Sequence, residues 1–189
     1  MEKFSRLGRK SAATSKKDDV LFSNEYVKVI DFEDYTTVVQ KDCAICVPVL
    51  VERNQVVVRQ EYIPSYKYKT GQEYHLSFVG GGIEEGETPE EALLRELQEE
   101  AGIVLRDNFK VDFERPLFVG KVSSNRYHIA ILFLTENDYH EVRPTTDGTK
   151  FEKMSQAVKI DMKYIDSLVS SDLITEYMIL RLKDALNLR

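Results

Sequence analysis

Apolar and polar residues alternate from Tyr26 to Phe32 and again from Tyr35 to Gln40, and the acidic pair Glu33-Asp34 separates the two runs. A two-residue period on either side of a polar break predicts a leading β-hairpin. Cys43 to Val51 is almost continuously apolar, which predicts a buried strand, with Pro48 pushing it toward an edge or a bulge. Further strands are predicted over Gln55 to Gln60, after a turn at Arg53-Asn54, and over Glu73 to Val79. Pro116 to Val122 and Tyr127 to Thr135 read as two strands about Ser123 to Arg126, and Ala157 to Ile160 as a short one. Tyr62 to Gly71, between two of these strands, reads as a loop, and the polar stretch Glu136 to Lys153 is too long for a simple turn.

The period changes to that of a helix at three places. Ala92, Leu93, Leu94, Leu97 and Ala101 form one apolar stripe at three- and four-residue steps. Thr88 is placed as its N-cap, Pro89 as its first residue, Glu91 as the other half of a capping box, and Gly102 as its end. Asp161 to Val169 and Asp172 to Leu188 are the other two, the last with Asp172 as cap and Ile174, Met178, Leu182 and Leu186 facing the core. Strands around a central helix, with helices at the end, describe an α/β domain.

The chain has 189 residues, enough for one domain with a real core. Residues 1–19 carry Lys3, Arg6, Arg9, Lys10, Lys16 and Lys17 without an apolar stripe, so they read as a loose basic tail. Residues 20–189 form the single domain, with 20–41 the leading hairpin. The net charge of −6 argues against a general nucleic-acid binder. No apolar run has the length of a membrane span, and the start lacks a secretory core, so a cytoplasmic protein is expected. Cys43 and Cys46 have CxxC spacing, but three apart on a strand they face opposite sides and no second pair completes a metal site, which leaves two buried, reduced thiols.

The chemistry concentrates in residues 80–103, GGGIEEGETPEEALLRELQEEAGI. Glu96, Glu99 and Glu100 stand at i, i+3 and i+4 of the predicted helix, where like charges oppose one another. Glu84 to Glu100 holds eight glutamates and Arg95 is the only cation in the helix. Charge alone leaves two readings: a solvated acidic face, or a site for a hard divalent cation such as Mg2+, which takes carboxylate and carbonyl oxygens and leaves room for phosphate.

The spacing decides between them. Gly81, five residues, Glu87, seven residues, then Arg95-Glu96-Leu97-Gln98-Glu99-Glu100-Ala101-Gly102-Ile103 resembles the box of the Nudix hydrolases at every fixed position. The resemblance implies the Nudix alpha/beta/alpha sandwich with a mixed sheet. It also implies Mg2+, with Mn2+ as substitute, held by Glu96, Glu99 and Glu100 and by a backbone carbonyl at Gly80 or Gly81. Arg95 and Glu87 match positions that hold the box together. In ADP-sugar members the general base is a glutamate some forty to fifty residues past the box, which falls on Glu152 first and Glu141 second. The run Val57 to Tyr62 and the amino-terminal strands are similar to the ADP-ribose and ADP-sugar diphosphatases, although an arginine near Tyr62 and a glutamate near Ser77 are lacking. The implied reaction is cleavage of ADP-ribose or an ADP-sugar to AMP and a sugar phosphate. The other readings are a nucleoside triphosphate or dinucleoside polyphosphate as substrate, and a non-catalytic nucleotide sensor. Arg59, Tyr62 and Tyr66 are candidate substrate contacts, since the tyrosines offer faces to a base and the neighbouring lysines attract phosphate. The partners expected are a small nucleotide and, from the resemblance, a second copy of the chain docked through the leading hairpin.

Overall fold

The computed structural model describes residues 19–32, 35–145, 150–170 and 172–187. The basic tail, apart from Asp19, and the turn expected at Glu33-Asp34 lie outside them. Alternation at the amino-terminal end gives three antiparallel strands where a hairpin was expected: β1 (Asp19–Ser23), β2 (Lys28–Phe32) and β3 (Tyr35–Val39). The mixed sheet that follows has the order β12-β5-β4-β10-β9, built from β4 (Cys43–Leu50), β5 (Gln55–Tyr62), β9 (Leu117–Phe118), β10 (Arg126–Leu134) and β12 (Gln156–Asp161). Two short strands, β6 (Tyr74–Ser77) and β7 (Val79–Gly82), pair with β5 and β4 respectively. A separate pair joins β8 (Ile103–Leu105) to β11 (Tyr139–Glu141), the latter inside the long polar stretch.

Side-chain alternation sorts β4 and β5 between two cores. Ala44, Cys46 and Val57 pack with Ala92, Leu93 and Leu97 of helix α2 (Pro89–Glu96) and the turn after it. Val47, Val49, Val56 and Val58 pack with Ile174, Met178, Ile179 and Leu182 of α3 (Leu173–Ala185). Helices therefore cover both faces of the sheet, the layered arrangement that amphipathic helices and a two-sided apolar sheet require.

Four local expectations change. Pro48 sits in the middle strand, β4, and is tolerated because β4 changes partners there: Cys43 to Cys46 pair with β7, Val49 and Leu50 with β5, and the residues between have no antiparallel partner to need an N–H. The strand expected over Glu73 to Val79 divides into β6 and β7, and β7 runs on through the glycines to Gly82. Tyr62 to Gly71 contains helix α1 (Pro64–Thr70), closed by Gly71. Leu94, assigned to the apolar stripe, is 38% exposed, because the buried face of α2 centres on Ala92 and Leu93. The capping box at Thr88 and Glu91 and the cap at Asp172 form as expected. Cys43 and Cys46 are free thiols. Among the described residues no helix is long and apolar enough to cross a membrane.

Two outcomes follow for stability. Leu97→Ala should cost about 2–5 kcal/mol in urea unfolding, because Leu97 is fully buried, while Leu94→Ala should cost far less. Asp42 ties the start of β4 to β10 by accepting from the Arg126 backbone N–H (2.7 Å) and guanidinium (2.6 and 2.9 Å). Its desolvation is outweighed by these Arg126 contacts, so its carboxyl lies below the usual value. The stabilisation is complete above the unfolded carboxyl pKa of about 4 and is lost as pH falls through the lower folded value. Urea midpoints of the native protein and Asp42→Asn should differ by a constant amount from pH 5 to 7 and converge at lower pH.

Candidate active site

The turn after α2 widens. Leu97–Ala101 forms a π-turn, with Gly102 (φ 64°) closing it in the left-handed region. Such single π-turns insert one extra residue into a helix and recur at functional sites. Here the widened turn carries Glu99 and Glu100 beside the inner face of β5 and β7.

Arg95 is the hub of one half of the site. Its Nε donates to Glu87 Oε1 (2.9 Å), its Nη1 to Glu96 (2.8 Å) and Glu99 (3.1 Å), and its Nη2 to Glu87 Oε2 (3.2 Å) and the Gly82 carbonyl (3.0 Å). Arg95 holds the Glu87 carboxyl below its usual value. Burial pushes the Glu96 carboxyl up in spite of Arg95.

Arg59 is the hub of the other half. It is only 4% exposed, projects from β5 and forms an ion pair with Glu100, whose second oxygen accepts from the Gly80 N–H at 3.0 Å. Burial dominates here and pushes the Glu100 carboxyl up to about 8. Backbone and carboxylates approach so closely that a Cβ on Gly81 would collide with Glu96 Oε1, and one on Gly80 with the Ala44 carbonyl.

The cluster thus unites Glu87, Arg95, Glu96, Glu99, Glu100, Gly80 and Gly81. It also includes Arg59, expected as a substrate contact, which lies beneath the glutamates. The signal in the sequence that could have marked this role is a charged residue ending the apolar run Val56-Val57-Val58, because a charge so placed requires a partner. Four carboxyl groups meet two guanidiniums, and all the donors are hard oxygens, a set that suits a divalent cation, whose charge would favour the ionised form of Glu96 and Glu100 that burial opposes. The residues present therefore fit such an ion. Among the described residues no three acidic, His or Cys side chains converge at ligand spacing, because Glu96 and Glu99 turn to Arg95 and Glu100 to Arg59.

The remaining candidates stand apart. Glu141 is held by Arg53 and by Lys159 (2.7 Å), and the Lys159 contact chiefly sets its carboxyl below the usual value. Lys159, but not Glu141, lines a cleft of about 260 Å3 with Glu100, Pro144 and Ser155. Glu152 opens a 3-10 turn, Glu152–Met154, next to β5; its side chain is outside the description. Just after that turn, Ser155 Oγ accepts from the Tyr62 N–H at 3.1 Å. The Tyr62 ring stacks on Phe151 (centroids 5.4 Å apart), with Tyr74 edge-on and Lys67 Nζ at 5.7 Å. The Tyr66 hydroxyl donates to Gln72 at 2.9 Å and its ring leans on His75.

Comparisons with known proteins agree with this architecture. A crystal structure described as an ADP compounds hydrolase superposes with a TM-score of 0.65 over 95% of this chain and 97% of that one, at 17% identity, a likeness of fold. An 8-oxo-dGTP diphosphatase from Escherichia coli (strain K12) is 71% identical over 28 residues, 15% of this chain; the matched segment spans 22% of that protein's length. The NUDIX domain family model matches residues 40–164, which takes in the sheet, the box helix and the cluster built on it. By that match the chain belongs to the Nudix hydrolase family.

Proposed function

We propose that this protein hydrolyses the diphosphate bond of a nucleoside diphosphate derivative, ADP-ribose or an ADP-sugar, giving AMP and a sugar phosphate, with Mg2+ as its cofactor and Mn2+ as a substitute. The observation that carries the proposal is the cluster of Glu96, Glu99 and Glu100, in which Glu96 closes on Gly81, Glu100 accepts from the Gly80 N–H, and Glu99 shares Arg95 with Glu96. Glu96, Glu99 and Glu100, with a carbonyl at Gly80 or Gly81, are the residues that would hold the metal. A divalent cation there supplies polarisation of phosphoryl oxygens and a more acidic water.

This chain's own groups do the rest. Arg95 fixes the orientation of Glu96 and Glu99, and Glu87 braces Arg95, so both act on geometry. A water oxygen bonds to phosphorus in line with the bridging oxygen, the bridging P–O bond breaks, and the water's proton passes to a carboxylate. We assign that proton to Glu152, because Glu141 is occupied by two cations. Tyr62 and Tyr66, which stand apart from the cluster, stay candidate contacts to the base for the faces that their rings could offer it. Arg59 acts through Glu100.

The amino-terminal strands and the fold shared with a protein described as an ADP compounds hydrolase support the diphosphatase reading. The 28-residue identity with an 8-oxo-dGTP diphosphatase supports a second one, a nucleoside triphosphate as substrate; a dinucleoside polyphosphate belongs to the same alternative. The full set of glutamates speaks against a non-catalytic sensor. We also propose a cytoplasmic homodimer docked through β1, β2 and β3, where Val20, Leu21, Phe22, Tyr26 and Tyr35 are exposed.

With Mg2+, ADP-ribose should yield AMP and ribose 5-phosphate by chromatography, ahead of other nucleoside diphosphate sugars, NADH, triphosphates and dinucleoside polyphosphates. Chelation should stop turnover, and Glu100→Gln should lower kcat/KM by roughly 100-fold or more. Preferred cleavage of triphosphates would move the substrate to the second reading, and binding without turnover would remove the enzyme reading. For assembly, sedimentation should give twice the monomer mass, with Phe22→Asp shifting it to monomer; monomer alone in the native protein removes the dimer.

A further inference from the structure

A second cavity, of about 210 Å3, opens where β6 gives way to β7 and faces the start of α3. Ile45, Ile63 and Ile174 give it apolar walls, and Gly80 and Gly81 form part of its lining. Those two glycines are the backbone that meets Glu100 and Glu96, so a molecule seated in the cavity borders the carboxylate cluster.

The polar lining is selective. Ser77 is 6% exposed, and its Oγ has no hydrogen-bond partner. A buried hydroxyl without a partner costs free energy, and a small shift of its neighbours would open it to a molecule seated in the cavity. Two carboxylates accompany it, with His75, Tyr127 and Thr175 as further polar neighbours. Among the described residues Glu61 has one distant cation, Arg59 at 3.8 Å, and Asp172 spends Oδ2 on the Thr175 N–H at 2.7 Å. Carboxylates accept hydrogen bonds and repel phosphate, so this chemistry suits a neutral ring that carries several hydroxyls. The apolar walls suit the carbon face of such a ring. The volume is below the range of about 300–1,000 Å3 usual for whole drug-sized ligands, and matches one ring rather than a dinucleotide.

We propose that this cavity receives a ribose of the substrate, with Ser77 as a specificity-determining contact and the carboxylates of Glu61 and Asp172 accepting from its vicinal hydroxyls. The ring's attached phosphate then leaves the cavity past Gly80 and Gly81 toward Glu96 and Glu100. The inference deepens the nucleotide-hydrolase reading above and rests on it. The ribose has two sources, the nucleoside or the distal sugar.

Calorimetric titration of the full chain in chelator, without metal or turnover, separates this claim from catalysis. Saturable binding of adenosine, weaker for 2′,3′-dideoxyadenosine, assigns the nucleoside ribose; binding of ribose 5-phosphate but not adenosine assigns the distal sugar. In either case Ser77→Ala should weaken binding about 5-fold, and Ser77→Leu, which fills the cavity, more than roughly 10-fold. Asp172→Asn keeps a good helix cap and should weaken it about 10-fold, so the test survives if the leucine variant does not fold. In turnover, Ser77→Ala should raise KM for ADP-ribose by the same factor as the loss in binding, a match that general destabilisation would not produce. Binding of neither probe, equal binding of adenosine and its dideoxy form, or unchanged binding in Ser77→Ala and Asp172→Asn overturns the proposal, and leaves Mg2+-dependent hydrolysis standing on its own evidence.

Discussion

The site depends on the burial of Glu96 and Glu100 against the sheet. Taking carboxylates out of water is costly, and it is offset only by cations and N–H groups placed against them. Arg95 from the same helix, Arg59 from β5 and the Gly80 N–H from β7 supply that offset, so three separate elements must arrive in register before the cluster is tolerable. The fold and the chemistry share this constraint. Removing either arginine would leave a buried charge alone, which costs more than the pair contributes.

Two guanidiniums also divide the work. Arg95 grips three carboxylates and a carbonyl, and sets their mutual arrangement. Arg59 holds Glu100 closely and Glu61 at 3.8 Å, with its Nε unpaired. The first behaves as a frame, the second as a counter-ion that an incoming cation would relieve. The cavity beside Gly80 adds a surface suited to a neutral ligand, so charge and shape are handled in adjoining places.

Much of this was legible in the sequence. Period-two runs located most strands, Thr88, Pro89 and Glu91 placed the start of the box helix, and the box spacing identified the family. What escaped has physical causes. Pro48 looked wrong for a central strand, since a sequence does not reveal where a strand changes partners. Helix α1 was hidden because Tyr, Lys and Ser also suit loops, and its only strong mark is Pro64 at the first turn. The pairing of Arg59 with Glu100 joins residues far apart in the chain, beyond any local pattern. Ser77 carries no signal at all, because an unpaired hydroxyl is defined by what surrounds it.

The π-turn at Leu97–Ala101 has a geometric meaning beyond its place in the site. A regular helix advances about 100° per residue, so a face that buries Leu93 and Leu97 would be followed by a fixed sequence of directions. Adding one residue to a single turn changes the phase between the apolar stripe before it and everything after it. Leu97 can then stay in the core while the glutamates beyond it are aimed by a separate setting. The helix works as two dials on one axle, and a deletion of one residue within the turn would restore the regular phase and point the acidic side chains beyond it somewhere else.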